Sequence, residues 1–131
     1  MNQSMHPVIA DYVARHGITV PEPFRGRVTV VVDERYRVHL QAAGENAVAM
    51  ICRLASLPAG GATRDQWLLN VGKLALGTVS MCPASCVIDP NENALWLQHI
   101  LTPGEGISLD ESMGQFVNAL SFWTGALPRQ A

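Results

Sequence analysis

The 131-residue sequence predicts an α+β domain with elements in the order α-β-β-β-α-β-β-α, a twisted, mainly antiparallel sheet with helices packed on it. Three observations carry that expectation. Segments with apolar residues at helical spacing open, divide and close the chain. Between them, β-branched and alternating stretches come as neighbours joined by short turns, the pattern of hairpins. Hydrophobic residues make up 48% of the chain and Asp, Glu, Lys and Arg only 15%, enough apolar material for one buried core. A single domain over residues 1–131 is expected.

The first helix is expected from Met5 to His16, because Met5, Val8, Ile9, Tyr12 and Val13 fall on one face. Ser4 is its candidate cap, Pro7 suits the first turn, and Gly17 can close the last turn in a left-handed conformation. Arg27 to Asp33 is rich in β-branched residues and Asp33-Glu34 offers a short turn. Tyr36 to Gln41 alternates, with Tyr36, Val38 and Leu40 on one face and Arg37, His39 and Gln41 on the other. After a turn at Gly44 to Asn46, Ala47 to Leu54 is apolar on both faces through Cys52, so cover on both sides, from this chain or from a partner, is expected.

The second helix is expected from Arg64 to Leu76, started by a Thr63/Gln66 capping box and stopped at Gly77. It carries two apolar stripes, Trp67, Leu68, Val71, Leu74 and Ala75, and then Leu69, Gly72 and Leu76, which is more than one-sided packing needs. Val79 to Ile88 reads as extended structure, Pro90 to Asn93 as a turn, and Ala94 to Leu101 as the second arm of a hairpin. Ser108 and Glu111 form another capping box, and Leu109, Met113, Phe116, Val117, Leu120, Trp123 and Leu127 define a final helix before Pro128.

Nine Lys and Arg against eleven Asp and Glu leave a formal charge of −2 with no basic cluster along the sequence, which argues against a nucleic-acid partner. No apolar run approaches the ~20 residues of a membrane-spanning helix, and the first residues lack the pattern of a secretory signal. Three cysteines cannot all pair within one chain, and a reducing compartment leaves them as thiols. Cys82 and Cys86 have loose ligand spacing, with His99 as a third candidate for zinc; small apolar packing is the simpler account of both cysteines. Gly60-Gly61 and Gly104-x-Gly106 lack the Lys and Ser/Thr of a phosphate loop, and although His6, His16, His39 and His99 offer bases, no residue pattern places a thiolate near a helix N-terminus or a cationic neighbour. No catalytic residue and no cofactor are expected.

The helix-led order, the hairpin VVVDERYRVHLQ, and the run from VIDPNENALWLQHILT into LDESMGQFVNALSFWTGAL resemble the class I type III secretion chaperones of the Tir-chaperone (CesT-like) family. The resemblance implies a non-enzymatic homodimer in the bacterial cytoplasm. Such a protein would bind the N-terminal region of one or more effectors in extended form, keep them secretion-competent and aid delivery to the secretion ATPase. The expected effector-binding residues are Val8, Tyr12, Val31, Tyr36, Val38, Leu40, Val48, Met50 and Cys52. The expected dimer interface is Trp67, Leu69, Gly72, Leu76, Val79, Met81 and Val87, where surplus apolar surface suggests a partner. The competing expectation is a small metal- or ligand-binding α+β domain built on Cys82, Cys86 and His99.

Overall fold

The computed structural model describes residues 6–18, 27–44, 46–78, 84–102 and 108–127. These form α1 (Pro7–Arg15), β1 (Val28–Val32), β2 (Tyr36–Ala42), β3 (Val48–Ser56), α2 (Ala62–Thr78), β4 (Ser85–Asp89), β5 (Ala94–Leu101) and α3 (Leu109–Ala126). The element order and types are those that the sequence predicts. The expected contributions of Ser4, Met5 and Val79 to Pro83 lie outside the described residues. His6, in place of Ser4, caps α1, its Nδ1 accepting the Val8 N–H at 3.1 Å. Thr63 does not cap α2: the helix already begins at Ala62, after a left-handed Gly61 (φ 100°), so Thr63 sits in the first turn.

The strands form one five-stranded antiparallel sheet in the order β1-β2-β3-β5-β4. Both hairpins close on left-handed residues, Asp33 and Glu34 in one turn and Asn93 in the other. Because side chains alternate along a strand, pairing fixes two faces. Val28, Val30, Tyr36, Val38, Leu40, Val48, Met50, Cys52, Leu95, Leu97 and Leu101 point to an inner face and are buried. On that face lie Ile9, Tyr12 and Val13 of α1 and Leu109, Met113, Phe116, Leu120 and Trp123 of α3, in one continuous core. Those helical positions are the ones the periodicity marks.

Ser108 Oγ accepts the Glu111 N–H at 3.1 Å and starts α3 as expected. The two covering helices are joined end to end. Arg15, in the last turn of α1, pairs with Asp110 in the first turn of α3 at 2.7 Å, and His16 Nε2 donates to the same carboxylate at 2.6 Å. The charges also complement the two helix ends, negative at an N-terminus and positive at a C-terminus. Arg15 first, and then His16, hold the Asp110 carboxyl below the usual range. At the other end of α3 the hydroxyls of Tyr36 and Ser121 share a 3.2 Å hydrogen bond, tying the helix to β2.

Within α3 one buried group is unsatisfied. Ser112 is 1% exposed and its Oγ has no hydrogen-bond partner. A buried hydroxyl without a partner costs on the order of 1 kcal/mol or more, and alanine has the higher helix propensity. Ser112→Ala is therefore expected to stabilise the protein by about 1 kcal/mol, a rise of several degrees in Tm for a chain of this size. Thermal unfolding of the two proteins at one concentration checks it; a lowered Tm would contradict the packing described.

Candidate functional surfaces

Three surfaces remain after the core is assigned, and each follows from residues that a one-sided core cannot use. The first is the free side of α2. Trp67 and Val71 are buried and Leu68, Leu74 and Ala75 pack against the core, so the first apolar stripe faces inward as expected. The second stripe does not: Leu69 is 54% exposed, Leu76 is 78% exposed, and open space lies in front of Gly72. Val87 and Ile88 on β4 are exposed as well. Val79 and Met81 lie outside the described residues.

The second surface is the edge of the sheet at β1. Of the residues expected to touch an effector, Val31 stands out at 63% exposure and Val8 is half-buried on α1. The others are placed differently. Tyr12, Tyr36, Val38, Leu40, Val48, Met50 and Cys52 belong to the core of a single chain, under α1 and α3. Tyr36 and Cys52 also line the cleft where β2 and β3 part; the other five lie beneath the helices, and direct contact with them would require the helices to lift. The alternation in sequence identifies the apolar face of these strands but does not say whether a helix or a partner covers it.

The third surface is the outer face of the sheet, and no described helix packs on it. The cover expected on both sides of β3, from this chain or from a partner, is supplied by the described helices on the inner side. Ala49 is buried and Ile51 half-buried by their strand neighbours alone. Register places Thr29, His39, Ile51, Gln98 and Ser85 in one cross-strand row. Val31 pairs with Arg37 in the next row, where Trp96 is flanked by Arg53 and Val87. The His39 and Trp96 rings lie 5.8 Å apart, tilted by 43°. The Trp96 Nε1–H is buried and has no acceptor.

A local irregularity opens this face. The β2–β3 pairing runs only from His39↔Ile51 to Ala42↔Val48, although β2 starts at Tyr36 and β3 continues to Ser56. The β3–β5 pairing shifts register between Arg53 and Ala55. Where β2 and β3 are no longer paired, a cleft of about 620 Å³ is lined by Arg35, Arg37, Arg53, His39, Trp96 and Glu92 and reaches Tyr36 and Cys52 of the core and Thr124 of α3. A smaller groove of about 290 Å³ lies along Ile51, Val87, Gln98 and the other side of Trp96. Propensity and alternation carry no signal for such a parting of strands, and the arginines are scattered in sequence.

The thiols have little chemistry here. Burial pushes Cys52 up to about 11, a backbone hydrogen bond from Arg37 opposing it, and burial pushes Cys86 up to about 11 as well. Both are protonated near neutrality, and the thiolate is the form that attacks or binds metal. Among the described residues no three His, Cys, Asp or Glu side chains are grouped to hold a metal ion, and Cys82 lies outside them. Among the described residues, no helix is long and apolar enough to cross a membrane.

The fold defined by this strand order and these three helices is that found in chains of type III secretion chaperone complexes. One is from the HopA1–SchA chaperone–effector complex, with 14% identity, 91% of each chain covered and a TM-score of 0.64. Another is from the heterodimeric ExoU–SpcU complex of the Pseudomonas aeruginosa type III secretion system, with 17% identity, 91% of this chain and 97% of that one covered, and a TM-score of 0.66. A third is from the Yersinia pestis type III secretion chaperone SycH in complex with a stable fragment of YscM2, with 14% identity, coverage of 95% and 99%, and a TM-score of 0.60. Neither a protein-family model nor a curated protein matches the sequence.

Two histidines in the sheet make its stability pH-dependent. Burial, then Arg27 and Arg37, hold His39 below the usual imidazole range, and burial does the same to His99. The unfolded chain then binds these protons more readily than the folded one. Their contribution is complete above the ordinary imidazole pKa of about 6.5 and is lost as pH falls through and below it. Tm is expected to fall on acidification from neutrality, and His39→Gln with His99→Gln is expected to flatten that slope. An unchanged slope in the double variant would contradict the burial assigned to both rings.

Proposed function

We propose that this protein is a type III secretion chaperone. In this reading it binds the N-terminal region of one or more effector proteins in extended form, keeps them secretion-competent in the bacterial cytoplasm and aids their delivery to the secretion ATPase. The observation that carries the reading is a fold shared with chains of type III secretion chaperone complexes over more than nine-tenths of both chains. The sequence resemblance points the same way from independent features, the turn and strand after Val87 and the Trp-bearing final helix. The chemistry agrees: the described residues offer broad apolar and sheet surface rather than a cluster of reactive groups. The function needs no cofactor, because binding an unfolded segment requires only surface.

The chaperone is a homodimer in this proposal, joined through Leu69, Gly72 and Leu76 of α2 together with Val87 on β4, with Trp67 anchoring the helix from within. Val79 and Met81 are proposed to extend the same interface. Apolar side chains this exposed, side by side on one helix, are stabilised by a partner surface. The effector segment is proposed to add to the sheet edge at β1, past Val31 and alongside Val8, where backbone hydrogen bonds tolerate varied sequences and side-chain pockets select among them.

Co-expression with exported proteins of the source bacterium, followed by affinity capture, tests the function directly. Capture of an exported protein through its N-terminal region, lost on deleting that region, is the expected result. Failure to retain any exported protein would overturn the reading. For the dimer, Leu76→Asp places a charge in the interface at a cost of several kcal/mol, raising the dissociation constant by 100-fold or more. Sedimentation should show a dimer for the wild type at micromolar concentration and a folded monomer for the variant. A monomeric wild type would contradict the interface.

A further inference from the structure

The arginine-lined cleft where β2 and β3 part has the core residues Tyr36 and Cys52 and Thr124 of α3 on one side and Arg37, Arg53 and Trp96 on the other, and neither the α2 surface nor the β1 edge accounts for it. We infer that it docks an acidic, partly apolar segment of a partner protein, laid across the parted β2 and β3 strands with its carboxylates on Arg37 and Arg53 and an apolar side chain on Trp96.

Four observations converge on that occupant. Among the described residues, Arg35, Arg37 and Arg53 have no carboxylate within ion-pair distance, whereas the exposed Arg15 pairs with both Asp11 and Asp110. Three guanidiniums converge on one concave site against a single carboxylate, that of Glu92; Arg53 donates to the Ser56 hydroxyl and Arg35 lies over the Tyr36 ring, so neither positive charge is neutralised by these contacts. Guanidinium groups bind carboxylates through paired, charge-assisted hydrogen bonds, so the complement is a carboxylate-bearing ligand. Trp96 supplies an aromatic wall beside them, and Val31 and Val87 are exposed in its row. Its buried indole N–H lacks an acceptor, so a small turn of the ring toward an added carbonyl or carboxylate would satisfy it. Finally, the β2–β3 pairing stops at His39↔Ile51, and strand segments that are no longer paired can take an extended chain.

A nucleic acid fits less well. The chain carries a net charge of −2, and Glu92 and Asp89 line the neighbouring groove, so a long polyanion meets repulsion on both sides of Trp96. A short peptide with a few spaced carboxylates can set them on the three arginines and keep its uncharged residues beside Glu92. The inference does not rest on the chaperone reading, because any protein with such a segment satisfies it.

The test uses the full chain and a fluorescein-labelled peptide of about ten residues alternating Asp or Glu with Val or Phe, roughly the length that spans a sheet of this kind. Its counterpart carries Lys in place of the acids, and a single-stranded oligonucleotide serves as the polyanion. Anisotropy titrations should show binding of the acidic peptide alone, weakened by salt. Arg37→Glu with Arg53→Glu should reduce its affinity by at least about tenfold, since each lost charge pair is of that order. Lys73→Glu on α2 should leave it unchanged. Both arginines are exposed, so circular dichroism is expected to report an intact fold in the double variant; Trp96→Phe, which keeps the aromatic wall but removes the N–H, should give a smaller loss. Equal binding of the basic peptide, equal or tighter binding of the oligonucleotide, or full affinity in the double variant would overturn the inference. So would a double variant whose change is loss of self-association, which would make a second copy of this chain the occupant. Loss of effector capture with peptide binding intact would overturn the proposed function and leave this inference standing.

Discussion

Arg15 and His16 converge on Asp110, and through that contact α1 and α3 act as one cover over one face of the sheet. The exposed ion pairs add little stability by themselves, because solvent screens them. Their importance is positional: with the two helices set end to end, Ile9, Tyr12 and Val13 meet Phe116 and Leu120 over the same strands. A five-stranded sheet has two faces, and the described helices are spent on one of them. What the protein presents to other molecules follows from that asymmetry. The outer face, the β1 edge and the far side of α2 are left to solvent or to partners.

Secondary structure was legible in the sequence wherever one period dominates. Leu109 to Leu127 keeps helical spacing, and all of its marked residues are buried or half-buried. The alternation of Tyr36 to Gln41 assigns Arg37, His39 and Gln41 to the outer face, where they are found. The two-stripe pattern of α2 anticipates both its buried side and the exposure of Leu69 and Leu76. Less legible was the identity of what covers an apolar face. Val38, Leu40, Val48 and Met50 read equally well as core or as interface, because burial under a helix and burial under a partner select the same side chains. The cap of α2 was misplaced for a related reason: Thr63 and Gln66 satisfy the capping pattern locally, yet the left-handed Gly61 starts the helix earlier. The parting of β2 from β3 has no sequence signature, and with it the convergence of Arg35, Arg37 and Arg53 stayed hidden until the strands were paired.

This division of surfaces suits a protein whose proposed work is to hold another chain without folding it. A rigid inner core fixes the sheet, while the edge and the outer face supply contacts that can be made to an extended segment. The free stripe of Leu69 and Leu76 on α2 is distinct from the β1 edge, whereas Val87 lies beside Trp96 on the outer face.

Partner binding depends on which face of the sheet is rigid and which is available. Backbone hydrogen exchange on the chain alone and saturated with its co-expressed exported partner measures this directly. Added protection is expected on β1, on the outer-face residues of β2 and β5, or on both, with α3 and the inner strands equally slow in the two states. Fast exchange of α1 and α3 in the free chain, with protection of the inner face appearing only in the complex, would show that the partner replaces the helical cover and would contradict the structure described.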